Sequence, residues 1–307
     1  MTSVVSRTTP SSTLEHFEHG INRVAVSADA KLIATSDVDM NVVVYRGQDV
    51  LFSHNLGSAN EKIRPTERVR GLAFAPNADL LYVASGDQVT AISTDGWQIA
   101  WTYEAPRSFG FLIISPIALD VADNGDVAAA FDNGSIVVWD GLGNRKHTVK
   151  DNDSPRWLEF VANGQLVVGS DSFSICSWTM HDSKRKQKIR LQDRIFGLDV
   201  NAAGTVAATR SLTDISLWDL STQRQMCSIP VGPGIPLVKV HPNKPLLVYG
   251  ERNRIRIVDY SGTLLMDFEL AVASALSAAF TADGSELLLG CTEHQLIRRN
   301  IETSAGN

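Results

Sequence analysis

Seven hydrophobic anchors recur along this chain at near-constant intervals: Val26, Phe74, Val121, Phe160, Val200, Val240 and Phe280. The intervals are about 48, 47, 39, 40, 40 and 40 residues. A spacing of roughly 40–45 residues is that of a four-stranded blade in a β-propeller. A unit of this size cannot bury its own apolar faces, so the copies must stack on one another. Seven of them in a ring bury each other and need no other core. The period therefore predicts an all-β, seven-bladed propeller, although the 307 residues would suggest two domains on length alone.

The local pattern agrees. Four residues after each anchor stand Ala30, Ala78, Gly125, Gly164, Gly204, Lys244 and Gly284. Asp29, Asn77, Asn124, Asn163 and Asp283 precede five of these positions. Such residues tolerate positive φ and close tight hairpins. Apolar runs such as Leu32–Thr35, Leu80–Ala84 and Val206–Thr209 follow the turns, and alternating runs such as Ser135–Trp139 and Ile215–Trp218 come next. Both read as strands. The seventh copy ends at about Glu302 after only three strands, whereas Ser12–His19 precedes the first copy without a partner. Thr13–Phe17 is expected to complete the last blade, closing the ring and removing an open sheet edge. The expected organisation is a flexible tail at 1–10, one propeller at 11–302 and a flexible tail at 303–307.

Particular residues carry a resemblance. Trp139-Asp140 and Trp218-Asp219 each begin 18 residues past an anchor, Trp178 and Val258-Asp259 match in part, and blade 1 places Tyr45 there. Asp132, Asp171 and Asp214 stand in the loop before the third strand. With these features the chain resembles a degenerate WD-repeat propeller over roughly residues 20–302. The resemblance implies a rigid platform that binds proteins, and an aspartate at the loop position. No Gly-His dipeptide precedes an inner strand, so the family's Asp–His–Ser/Thr–Trp network cannot form complete. Trp139, Trp178 and Trp218 are expected between blades as large apolar anchors.

Several function classes are disfavoured. The net charge is −6, which offers no general field for nucleic acid. The basic run Lys184, Arg185, Lys186, Lys188 and Arg190 is read as protection of an exposed outer strand. The polar first ten residues carry no signal-peptide pattern, and no apolar run approaches the ~18 residues of a membrane span. Cys176, Cys227 and Cys291 fall in three different blades and read as reduced thiols of a cytoplasmic protein. No HExxH, nucleophile elbow or phosphate-binding glycine loop occurs, so no catalytic residue, cofactor or metal site is expected.

Two places invite a functional reading. One residue before the anchors of blades 3–6 stand Asp120, Glu159, Asp199 and Lys239. Three carboxylates near one axis suit a cation or acid–base chemistry, but Lys239 as counter-charge in a hydrated channel is the simpler expectation. The rim is the second place. The connections Asn55–Arg68 and Ala105–Pro116 exceed the blade length and are neighbours in the ring; the second holds Phe109, Phe111, Leu112, Ile113 and Ile114. Apolar residues on a loop suggest a contact surface. Arg23, Arg68, Arg70, Arg156 and Arg194 lie at the starts of inner strands, where guanidinium forks suit an acidic or phosphorylated peptide. Pairing with Asp37, Asp87, Asp132, Asp171 and Asp214 on the same rim is the favoured alternative.

The expected function is a non-enzymatic scaffold, within a larger complex or alone. It would dock a protein or peptide on the rim through Arg64, Arg70, Arg107, Phe109, Phe111, Ile113, Arg156 and Arg194. The rivals are a propeller enzyme, such as a lactonase-like hydrolase using channel carboxylates, and a structural subunit. No nucleic acid, membrane or small-molecule cofactor is expected as a partner.

Overall fold

Each repeat folds as a four-stranded antiparallel sheet, and seven such sheets form the molecule. The structure is a computed structural model that describes residues 13–15, 19–56, 68–106, 113–150, 155–161, 165–170, 173–179, 184–232, 234, 237–271, 274–293 and 295–301. Strands are numbered β1–β28 in chain order, and no helix occurs among the described residues. The inner strands are β2 (Ile21–Val26), β6 (Val69–Phe74), β10 (Pro116–Val121), β14 (Pro155–Val161), β18 (Gly197–Val200), β22 (Val238–Val240) and β26 (Ala275–Phe280). Neighbouring inner strands contact one another around the whole circle, β26 against β2 included. All seven anchors stand at or within one residue of the end of an inner strand. The period in the sequence is the period of the ring.

The turn chemistry is as the sequence dictates. Ala30, Ala78, Gly125, Gly204 and Gly284 all take positive φ, between 57° and 85°, in the hairpin that follows each anchor. Blade 6 solves the same corner differently. There His241 Nδ1 accepts the N–H groups of Asn243 and Lys244, each at 3.0 Å.

Hydrophobic burial is distributed between blades. One apolar cluster occupies each junction of neighbouring blades, from 1–2 around to 7–1. The junction of blades 2 and 3 is aromatic: the Tyr103 and Trp139 ring centroids lie 4.8 Å apart, and the Trp101 indole N–H donates to the Gly141 carbonyl at 3.1 Å. Trp139 and Trp178 are buried, as expected of blade anchors. Trp218 is only half-buried, and its indole N–H donates to Thr209 Oγ1 at 3.0 Å. Inner strands also approach closely. A Cβ added at Gly71 would stand 2.4 Å from Leu119 Cβ, so the small residue there is a steric requirement.

The ring closes through the chain's two ends. β1 (Thr13–Glu15) pairs antiparallel with β28 (Gln295–Asn300), Thr13 opposite Ile297 and Glu15 opposite Gln295. The expected strand ran on to Phe17; residues 16–18 lie outside the described residues, as do the tails 1–10 and 303–307. The basic run lies on β17 (Lys184–Arg190), the outer strand of blade 4.

Candidate functional site

All inner strands run in one direction, so the blades share an upper face. It is formed by the starts of the inner strands and by the turns between second and third strands. The channel beneath it has two charged levels.

The deeper level lies one residue before the anchors. The Asp120 carboxylate accepts the backbone N–H of Phe160, the anchor of the next blade, at 2.6 Å. Asp199 does the same for Val240 at 2.6 Å, and its other oxygen takes the Lys239 ammonium. The Lys239 ammonium also stands 3.9 Å from Glu159. These contacts latch one blade to the next. Asp199 has only 6 % of its side chain exposed. Burial pushes Asp120 up to about 6, against the opposing bond from Phe160. Burial also raises Glu159 well above its ordinary range, with Lys239 opposing and Asp199 and Asp120 reinforcing. For Lys239 burial acts downward, but Asp199 and Glu159 outweigh it and hold the ammonium above its usual value. Among the described residues, no group of three or more His, Cys, Asp or Glu side chains is placed to hold a metal ion.

The upper level is the arginine mouth. In blades 2 and 4 the pairing register skips one residue near the start of the inner strand: Arg70 between Val69 and Gly71, and Arg156 between Pro155 and Trp157. Such bulges leave one residue outside the ladder and re-aim its side chain. Arg23 donates from Nε to the Arg70 carbonyl at 3.0 Å and from Nη1 to the Asn22 carbonyl at 2.8 Å. Burial, then Arg70 and Arg68, lowers its pKa to about 10. Arg70 is lowered by burial, then by Arg68 and Arg156. The half-buried Arg70 guanidinium makes no hydrogen bond or ion pair with any described residue, and the charges acting on it are all positive.

Internal pairing was the favoured expectation for this rim, and two of its carboxylates, Asp37 and Asp214, are engaged within their own turns instead. Asp37 accepts the backbone N–H groups of Asp39 and Asn41, both at 2.9 Å. Asp214 accepts Ser216 and Ser228 hydroxyls at 2.6 and 3.1 Å. These carboxylates tie their own turns, because a turn's N–H groups lie nearer than an arginine on another blade. Asp132 is the exception: it accepts the Ser115 N–H at 3.2 Å and also feels Arg156. Asp171 lies outside the described residues.

Among the other candidates, Arg64, Arg107, Phe109 and Phe111 also lie outside the described residues. Ile113 is half-buried, and the next residue, Ile114, packs in the core between blades 2 and 3. The described end of that apolar run therefore turns inward. Arg194 is exposed, with its guanidinium carbon 5.5 Å from the Phe196 ring centre. Two residues that sequence reasoning passed over also stand on the upper face. Phe173 is 43 % and Leu212 65 % exposed, on the turns after the second strands of blades 4 and 5. Their signal was an apolar residue inside a turn that is otherwise polar or glycine.

The lower face has a cavity of about 380 Å³ between blades 1 and 2, lined by Asp29, Lys31, Arg46, Thr94 and Trp97 among others. Lys31 is paired with Asp29 at 3.1 Å and Trp97 is stacked on Phe52, so most of its wall is satisfied internally.

Comparison with known proteins agrees with this architecture. The family model "WD domain, G-beta repeat" matches residues 8–46, a span that begins before the closing strand and ends just after Tyr45. It falls on blade 1 and not on the blades that keep the Trp-Asp dipeptide. Cross-pathway control WD-repeat protein 2 of Flammulina velutipes is 25 % identical over 175 residues, covering 50 % of this chain and 55 % of that protein. The chain thus spans about half the length of the curated relative it matches. The solved structure of U3-55K superposes with a TM-score of 0.80 at 14 % identity, covering 95 % of this chain and 98 % of that one, a likeness of fold alone. Seven stacked blades, a repeat model that matches residues 8–46 and a WD-repeat relative make the chain similar to the WD-repeat β-propellers.

Proposed function

We propose that this protein is a non-enzymatic, cytoplasmic docking platform. The arginine mouth on its upper face binds an oxyanion-bearing segment, acidic or phosphorylated, of a protein or peptide partner. The single observation that carries this reading is Arg70. The Arg70 guanidinium is half-buried, and the charges that act on it, Arg68 and Arg156, are of like sign. A carboxylate or phosphate placed between Arg70, Arg68 and Arg23 turns that repulsion into charge-assisted hydrogen bonds. WD-repeat propellers generally bind proteins and join complexes, which supports the same reading. The free thiols of Cys176 and Cys291, both buried, suit a reducing compartment.

The enzyme reading is not favoured by the deeper level. Asp199 and Lys239 neutralise each other, and Asp120 and Asp199 hold backbone N–H groups of neighbouring blades.

The test is fluorescence polarisation with three labelled short peptides that carry phosphoserine, aspartate or serine at one position. The first two should bind and the serine peptide should not, and added salt should weaken binding. Arg70→Ala should reduce affinity by about ten- to a hundredfold, the worth of a charge-assisted contact of about 1.5–3 kcal/mol. Equal binding of all three peptides, or an Arg70→Ala, Arg68→Ala double variant that binds as the parent does, would overturn the reading. Preference for phosphoserine over aspartate identifies a phosphorylated partner, and the reverse an acidic one.

A further inference from the structure

We infer that the segment bound at the arginine mouth carries a large apolar side chain about two to four residues from its anionic group, and that Phe173 and Leu212 receive it. The inference rests on the arginine-mouth reading and adds the second half of the recognised motif.

The two apolar tips belong to one continuous surface. The connection at 191–196 lies between them and is bonded to both turns. Leu191 N–H donates to the Phe173 carbonyl at 2.7 Å, and Phe196 N–H donates to the Arg210 carbonyl at 2.7 Å, two residues before Leu212. Leu191 and Phe196 are themselves half-buried, so apolar surface continues from one tip to the other. Arg194 stands over the Phe196 ring within this patch.

Phe173 is also held in an unfavourable backbone region. Its φ is 59°, where a bulky side chain crowds its own backbone. The equivalent turns of blades 2 and 3 place Gly86 and Gly134 in that region, at 55° and 84°, where glycine meets no such crowding; those of blades 1 and 6 place Met40 and Arg252 there, at 67° and 57°. Ser174, the next residue, is fully buried. The turn is thus anchored from below while it projects a phenyl ring into solvent.

Geometry sets the spacing. Pro155, beside Arg156, pairs with Ser170 on the second strand of blade 4, β15 (Gln165–Ser170). Phe173 follows on the turn to the third strand. Adjacent strands are about 4.8 Å apart, so the tip lies roughly 5–10 Å outward from Arg156, whose charge acts on Arg70. An extended peptide covers that distance in about two to four residues, at ~3.3 Å each. The occupant follows from charge complementarity: an anion for Arg70 and its neighbours, then an apolar side chain beside Arg194.

The experiment uses the whole protein and three labelled peptides in a Gly/Ser background. One carries phosphoserine alone, one adds leucine three residues away, and one adds leucine ten residues away. The near leucine should raise affinity about tenfold, the worth of burying part of one aliphatic side chain, and the distant leucine should add nothing. A Phe173→Ser, Leu212→Ser variant should erase the gain and still bind phosphoserine alone as the parent does. Phe173→Gly serves as a second variant, since glycine keeps the turn without strain; it should melt no lower than the parent and lose most of the gain. A parent protein that shows no gain from the near leucine, or variants that keep it, would sink the inference and leave the arginine mouth standing. Failure of the parent to bind phosphoserine alone would remove the arginine-mouth reading and this inference with it.

Discussion

The same inner strands carry charges at two levels, and the levels differ in how those charges are satisfied. Below, Asp120, Asp199 and Lys239 each have a partner in a neighbouring blade. Above, Arg23 finds only backbone carbonyls and Arg70 meets only like charge among the described residues. A buried charge with its partners present holds a structure together; removing one partner leaves an uncompensated charge behind. A half-buried charge without a counter-charge contributes nothing to the ring and leaves room for an outside anion. Residue type alone would have ranked the three carboxylates as the active part of the molecule. Partnering reverses that order.

The largest effect that can break this contrast is expected at Asp199. Asp199→Ala removes both the Lys239 partner and the acceptor of the Val240 N–H. It should cost about 3–5 kcal/mol in a denaturant melt. A Lys239→Met change made on top should recover part of that loss, because the stranded ammonium is then gone. A loss below about 1 kcal/mol at Asp199 would mean that the deeper level is not a latch.

A smaller effect concerns pH. Asp120 keeps its proton up to about 6 in the fold, against an ordinary 3.8. The folded state thus binds more protons than the unfolded chain in this window. The stability this contributes is present below about pH 4 and is lost as pH rises toward 6. Glu159, also raised, acts with the same sign. Asp120→Asn should therefore gain on the parent protein as pH goes from 4 to 6.5, by about 1–3 kcal/mol in urea melts. A constant difference across that range would show that Asp120 titrates normally.

The smallest stability effect is expected at the mouth, and that smallness is the point. Arg70→Ala should shift the unfolding free energy by no more than about 0.5 kcal/mol, and upward if like-charge repulsion dominates. Its phosphoserine-peptide affinity should nevertheless collapse. A variant that is strongly destabilised would place Arg70 with the structural charges and erase the contrast between the levels.

Much of the fold was legible because it repeats. The anchors, the positive-φ turns at Ala30, Ala78, Gly125, Gly204 and Gly284, and the closing strand at Thr13 all follow from local spacing and turn chemistry. The pairing of Lys239 with Asp199 was legible for the same reason, since both occupy one register position in adjacent blades. Trp218 was read as a buried anchor and is half-buried, although its indole N–H bonds the buried Thr209 hydroxyl. The rim was harder. Asp37 and Asp214 looked available to arginines, yet local turn N–H groups and serines claim them first. Phe173 and Leu212 were overlooked because a lone apolar residue in a turn is ordinary until its exposure is known.

By itself the sequence determined the seven-fold ring, its register and the charges that stand at each level of the channel. Those properties depend on period and on alternation along single strands, which are local. Only the tertiary structure decided which charges are satisfied and which apolar tips face water. The Arg156 charge acts on Arg70 across blades 2 and 4, and register bulges that only strand pairing reveals lift both out of their ladders. A charge is neutralised by whatever lies within a few ångströms of it in space, and strand order alone does not specify that neighbour.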